Sequence, residues 1–183
     1  MAEGFQGLDR VTRRIGQLAT DVRHVERPLK AIGVYLVGSV QRAMYAGGKP
    51  KPFTPLAKST IAARRKGKGR GGAKPLINNA QLVKSISSNV VSSGGDAGVE
   101  VGTNYGPIPG GSIAALMHFG GKKSYTIVPK NKKFLSFMGA DGSKVLARKV
   151  NHPPPPPRPF MVLQMPEDRD KSVAIVEKYL ARK

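Results

Sequence analysis

Leu8, Val11, Ile15, Leu18 and Val22 recur at spacings of three and four, with Arg13, Arg14, Gln17 and Asp21 off that stripe. This spacing predicts an amphipathic helix. A second helix follows. Pro28 falls in its first turn, where a missing N–H costs nothing. Leu29, Ile32, Gly33, Leu36, Val37, Val40 and Met44 give it a buried face, and Gly47-Gly48 ends it. Lys49 to Pro55 holds three prolines and reads as extended chain, Ala57 to Lys66 as a short helix, and Gly67 to Lys74 as a flexible basic loop. Leu76 to Ser85 predicts another short helix, capped by Asn78 or Asn79.

Strand signals come next. Ile86 to Ser92 and Gly98 to Thr103 flank the turn Ser93-Gly94-Gly95-Asp96, and Val99 and Val101 alternate with Glu100 as in a half-buried strand. Ile113 to Phe119 predicts a short helix closed by Gly120-Gly121. Tyr125 to Val128, Lys133 to Phe137 and Ser143 to Val150 are strand candidates, the last two joined as a hairpin by Gly139-Ala140-Asp141-Gly142. Five prolines, Pro153 to Pro157, enforce an extended polyproline segment. Glu167 to Lys183 predicts a final helix, acidic in its first turn and basic at its end, with Val173, Val176 and Leu180 on its buried side. The expected fold is α+β: N-terminal helices and a C-terminal helix packed on a small antiparallel sheet, with extended loops and a β-hairpin. It reads as one domain over 1–183, made of N-terminal helices (1–48), an extended basic loop (49–75), an α+β core with the hairpin (76–150), and a proline spacer with the last helix (151–183).

Composition narrows the function. The chain has 183 residues, 22 of them glycine and 15 proline, which fits a domain rich in loops. It has no cysteine, which excludes disulfides, thiolate catalysis and Cys-based zinc sites. Met1 to Phe5 do not begin a basic-then-apolar leader, so no signal peptide is expected. The longest near-apolar run, Ala31 to Val40, is ten residues, against about 20 needed to span a bilayer, so no membrane partner is expected. The formal charge is +20, and its distribution is uneven. From Arg27 to Gly95 thirteen Lys and Arg stand with no acid, while acids collect near the two ends. Such a field speeds encounter with acidic partners without choosing between nucleic acid and protein.

Catalytic chemistry finds no constellation. His24, His118 and His152 are scattered, with no paired carboxylates or Ser/Asp partners at catalytic spacing. A histidine flanked by apolar residues, as His118 is, is more often a hydrogen-bonded buried group than a ligand or base. The glycines at 67, 69, 71 and 72 lack the Gly-Lys-Ser/Thr of a phosphate-binding loop. No catalytic residue, cofactor or metal is expected, and the chain reads as no enzyme. The run Arg64-Arg65-Lys66-Gly67-Lys68-Gly69-Arg70 is the strongest candidate for polyanion contact. No aromatic residue is interleaved, so base stacking is not indicated. This run supports an alternative reading, a non-specific DNA-binding accessory protein using the basic 58–74 segment. The proline run reads as a stiff spacer that places Arg158-Pro159-Phe160, with Phe160 in the core and Arg158 on an acidic or carbonyl group.

The order of these segments resembles the tail-completion or virion morphogenesis family of tailed bacteriophages, including its Mu-like members. Phe53-Thr54-Pro55-Leu56 matches an aromatic-x-Pro-Leu segment, followed by Ser59-Thr60 and Arg64-Arg65-Lys66-Gly67-Lys68. Leu76 and Leu82 match a leucine-containing turn before a short helix. Val101-Gly102-Thr103-Asn104 matches a strand end, and Ala115-Leu116-Met117-His118-Phe119-Gly120-Gly121 an Ala-x-x-His-x-Phe-Gly-Gly element shortened by one residue. Arg158-Pro159-Phe160 matches an Arg-Pro-Phe segment before the last helix. Phe53 replaces the family's usual Trp, Asn78-Asn79-Ala80 an Asp-Thr-Gly-like turn, and Ser112-Ile113 a tyrosine.

The resemblance implies a small α+β subunit of the virion neck, assembled in the host cytoplasm. It would form a ring, a hexamer, at the head–tail junction that completes the tail and joins it to the filled head. Its implied partners are copies of itself, the head–tail connector, and tail terminator or tube proteins, with non-specific contact to genomic DNA as a weaker inference. The residues expected to meet neighbouring subunits are Phe53, Pro55, Leu56, Arg64, Arg65, Lys66, Lys68, Arg70, His118, Phe119, Arg158 and Phe160.

Overall fold

A computed structural model describes residues 25–66, 72–93, 96–108, 111–139, 141–163 and 166–181. The expected helix over residues 8–22, most of the basic Gly67–Lys74 loop, and the side chains of Lys66, Lys68 and Arg70 lie outside these described residues.

Helix α1 runs Glu26–Ala46. Pro28 sits buried in its first turn, and Ile32, Gly33, Val40 and Met44 are buried along the expected face. Gly47 is left-handed (φ 94°), and Gly48 and Gly47 donate their N–H groups to the carbonyls of Ala43 (2.9 Å) and Met44 (3.1 Å). This is the paired closure that glycine permits at a helix end. The Phe53 N–H then donates to the Gly47 carbonyl (2.7 Å), folding the proline-rich segment back onto the end of α1.

Two short helices follow, α2 (Lys58–Lys66) and α3 (Gln81–Lys84). Neither expected asparagine occupies the N-cap of α3. That position is Ala80, itself left-handed (φ 61°), while Asn79 Oδ1 accepts from the Gln81 N–H one step earlier in the chain (3.3 Å). Strands β1 (Ser87–Ser93) and β2 (Asp96–Gly102) pair antiparallel from Ser87↔Gly102 to Ser93↔Asp96. Then come β3 (Pro107–Ile108), β4 (Gly111–Ser112), α4 (Ile113–Phe119), β5 (Tyr125–Ile127), β6 (Leu135–Met138), β7 (Lys144–Ala147), β8 (Val150–His152) and α5 (Pro166–Leu180).

The architecture is α+β, as expected. In place of a single small sheet there are four two-stranded antiparallel ribbons, β1–β2, β3–β4, β5–β8 and β6–β7. The strand expected over Ser143 to Val150 is divided. Its first half closes the β6–β7 hairpin, and Val150 begins β8, which returns to pair with β5 through Ile127↔Val150 and Tyr125↔His152. The β6–β7 hairpin is thus nested inside the β5–β8 pair.

Helix α1 packs on the β1–β2 hairpin and on α5. The core gathers Val40 and Met44 of α1, Leu82 and Val83 of α3, Ala114 of α4, and Phe53, Ile77, Ile86 and Phe160 from the connecting chain. Helix α5 docks on a different side from the one its periodicity indicated. Val173 (49% exposed) and Leu180 (63%) face outward, and only Val176 of that stripe is half-buried. The cause is polar: Ser39 Oγ of α1 donates to Asp168 Oδ1 (2.6 Å), and Asp168 is buried. Asp168 and Ser172 share one helix face, and Val173 is turned about 100° away from Ser172.

Candidate assembly site

The three sequence motifs meet. Residues Phe53–Leu56 run extended beside the end of α1, Ile113–Phe119 form α4, and the proline segment passes along the end of α4 to deliver Arg158 and Phe160. Ser112 caps α4, its Oγ accepting from the Ala115 N–H (3.1 Å). At the other end, Gly120 (φ 77°) and Gly121 let the backbone touch the prolines. A Cβ on Gly120 would lie 2.8 Å from Pro157 N, and one on Gly121 2.7 Å from Pro155 Cδ. The Gly121 N–H donates to the Pro155 carbonyl (2.9 Å) and the Arg158 N–H to the Met117 carbonyl (2.9 Å). Having no amide hydrogens of their own, the prolines here accept and never donate.

Arg158 fastens the knot. Its side chain is buried, its Nε donates to the Thr54 carbonyl (2.8 Å), and its Nη2 donates to the Pro55 carbonyl (3.1 Å). The sequence left an acid or a carbonyl as its partner, and the structure supplies carbonyls. Burial lowers the Arg158 pKa from its ordinary value, and the positive charge of Arg64 lowers it further. Arg64 is committed in the same way: its Nη1 donates to the carbonyls of Lys74 (2.9 Å), Ile77 (3.0 Å) and, at longer range, Gly72 (3.4 Å). Half-buried, with burial lowering its pKa, Arg64 braces the chain leading into the core. Its neighbour Arg65 is exposed. Replacing Arg64 with Met is therefore expected to speed proteolysis within residues 72–77 severalfold, whereas Arg65→Met leaves the rate unchanged. Limited digestion read by mass spectrometry checks this.

His118 is half-buried, edge-on to Phe160 (ring centroids 5.3 Å) and to Phe119 (4.5 Å). Its Nδ1 accepts from the Met161 N–H (3.4 Å), a role open only to the neutral ring. Burial lowers its pKa below the ordinary 6.5. A histidine whose folded pKa is depressed adds stability that is complete above the unfolded pKa and declines as pH falls from there toward the folded pKa. Stability of the wild type to denaturant is therefore expected to decline as pH falls below 6.5 relative to His118→Asn, whose amide oxygen replaces the acceptor without titrating. The exposed carboxylates with lowered pKa values, Glu26 and Asp141, start from ordinary values of 4.5 and 3.8, well below that of the imidazole.

The predicted contact residues thus divide. Phe53, Arg158 and Phe160 are buried within the protomer, Leu56, Arg64 and His118 are half-buried, and Pro55, Arg65 and Phe119 are exposed. Among the described residues, Phe119 is the most open of the large apolar side chains, at 77%. The sequence reading missed Thr54 and Met117, which contribute only backbone carbonyls and so leave no side-chain signal. It also missed Asp168, which resembled any first-turn acid of a helix. Among the described residues no group of three or more His, Asp or Glu is placed to hold a metal ion, and no helix is long and apolar enough to cross a membrane. No curated protein and no solved structure matches this chain significantly. The sequence profile of the phage virion morphogenesis family matches residues 7–181.

Proposed function

Because this chain belongs to the phage virion morphogenesis family, we propose that it is a structural component of the virion neck, without turnover chemistry. In this reading copies of the chain form a ring, a hexamer, at the head–tail junction that completes the tail and joins it to the head. The observation that carries it is how apolar side chains are shared between core and surface. Among the described residues ten hydrophobic side chains are buried, while fifteen large ones are exposed, including Val34, Phe119, Leu146 and Leu180. Scattered single apolar residues are normal on a monomer, but so many against so small a core suit a subunit covered by neighbours. A ring interface is heterologous and uses two different faces of each copy. The alternative of a DNA-binding accessory protein relied on the cations of 58–74, and Arg64 spends its donors within the protomer.

Sedimentation of the purified full chain across a concentration series is expected to show a closed oligomer, and neck imaging of particles to place the chain there. Phe119→Ser is expected to weaken assembly by about tenfold with the unfolding midpoint of the protomer unchanged, since an exposed aromatic anchor contributes to association and not to the core. A chain that stays monomeric and is missing from purified particles overturns the proposal.

A further inference from the structure

The β5–β8 and β6–β7 pairs follow each other in one long hairpin with an uneven interruption. Ile127↔Val150 ends the first pair and Leu135↔Ala147 begins the second. On the return side only Arg148-Lys149 bridge the gap, so the Cα atoms of Ala147 and Val150 lie within about 10 Å of each other. On the outgoing side Val128 to Phe134 fill the same gap. Extended, the chain from Ile127 to Leu135 would span about 27 Å, so this segment bows away from the ribbon. It bends from Lys130 to Phe134, and those residues are exposed.

The interruption collects charge. Lys130, Lys132 and Lys133 stand on the bowed side and Arg148 and Lys149 on the return side; all five are exposed, and none forms an ion pair among the described residues. Phe134 carries the Arg148 guanidinium over its ring, 5.8 Å from the centroid. That contact ties the end of the bow to the return strand and steadies a planar fork of donors that suits phosphate. Over residues 122–149 eight Lys and Arg stand against one acid, Asp141. Its Oδ1 is already engaged, accepting from the Ser143 N–H (3.0 Å) and Oγ (2.7 Å). Like charges held this close repel, and the chain has no surplus of acid to offset them. At a formal charge of +20, a second copy brings more cations than anions. Even on α5 the exposed Glu167, Asp170 and Glu177 are matched by exposed Arg169, Lys171 and Lys178. The counter-charge therefore belongs to a different molecule. Protein surfaces intersperse both signs. Duplex DNA instead presents unbroken negative charge, one per about 1.7 Å of axis.

We propose that this interruption is a sequence-independent contact for the phosphate backbone of duplex DNA, with Lys130, Lys132, Lys133, Arg148 and Lys149 as the groups that meet phosphate. It is a different surface from the basic 58–74 segment, whose Arg64 is spent on internal carbonyls. The inference does not rest on the ring reading, and a monomer suffices to test it.

The test is fluorescence anisotropy of a labelled, mixed-sequence duplex titrated with the full chain at several salt concentrations. Five phosphate contacts give an expected log–log salt slope of about −4.5. The double variant Lys132→Glu/Lys133→Glu is expected to weaken binding by about tenfold or more and to flatten the slope by about 2. Its unfolding midpoint is expected to stay unchanged, since both side chains are exposed. Lys171→Glu/Lys178→Glu makes the same charge change on α5 and is expected to leave the slope as it is. Equal losses from the two pairs would reduce the contact to net charge and overturn the site. Binding too weak to measure at about 50 mM salt overturns it as well. Polyglutamate that competes as well as DNA at equal charge overturns it in favour of an acidic protein partner.

Discussion

Phe160→Ala is expected to remove about 4 kcal/mol of unfolding free energy, the largest loss of any single truncation at the motif junction. Phe160 is 3% exposed and packs in the cluster formed by Val40, Met44, Phe53, Ile77 and Ala114, with His118 edge-on beside it. Deleting the ring forfeits its transfer free energy and leaves a void among parts drawn from four separate stretches of chain. Those parts are held together by loops and cannot all relax inward. Phe160→Leu, which refills most of the volume, is expected to cost about 1.5 kcal/mol. Urea unfolding at one fixed protein concentration reads both, since assembly would otherwise shift the midpoint. A loss below about 1 kcal/mol for the alanine variant would show that this ring is not central to the core.

Arg158→Ala is expected to cost about 3 kcal/mol and to lower Tm by roughly 9 °C. Its two hydrogen bonds are donated by a charged group to the carbonyls of Thr54 and Pro55, more than 100 residues away along the chain. Truncation empties the space of a buried side chain and leaves both acceptors without their donors. Arg158→Lys is expected to recover less than half of the loss. An ammonium keeps the charge but lacks the planar fork that reaches two successive carbonyls at once. Full recovery by lysine would mean that charge alone, and not the directed pair of bonds, secures the segment.

Elements whose reasons are local could be read from the sequence. Helix α1 carries its start signal and its stripe within its own 21 residues and its closure in the two glycines that follow, and α4 is closed by Gly120-Gly121. What depended on distant chain was less legible. Val150 follows β7 after only Arg148-Lys149, and nothing nearby indicates that it belongs with Ile127. The orientation of α5 follows the bond from Ser39 to the buried Asp168 rather than its hydrophobic stripe, so Val173 and Leu180 face outward against expectation. At the motif junction, the sequence identified the segments and left an acid or a carbonyl as the partner of Arg158, without indicating that Thr54 and Pro55 would supply it. Backbone acceptors are the same at every residue, so their use is invisible until the chain is folded. Arg64 shows the same limit: in sequence it belongs to a cationic run, and in space it is an internal brace.

The clasp between Thr54-Pro55 and Arg158 also fixes when the molecule can finish folding. The residues that complete the core, Arg158 and Phe160, are made only after Phe53 and Met44 have waited through more than 100 codons. Contacts of such separation form late, and the earlier chain remains open until they do. A nascent product cut short before residue 158 thus lacks its fastening, and incomplete translation products would be barred from incorporation by the same bonds that hold the finished subunit together.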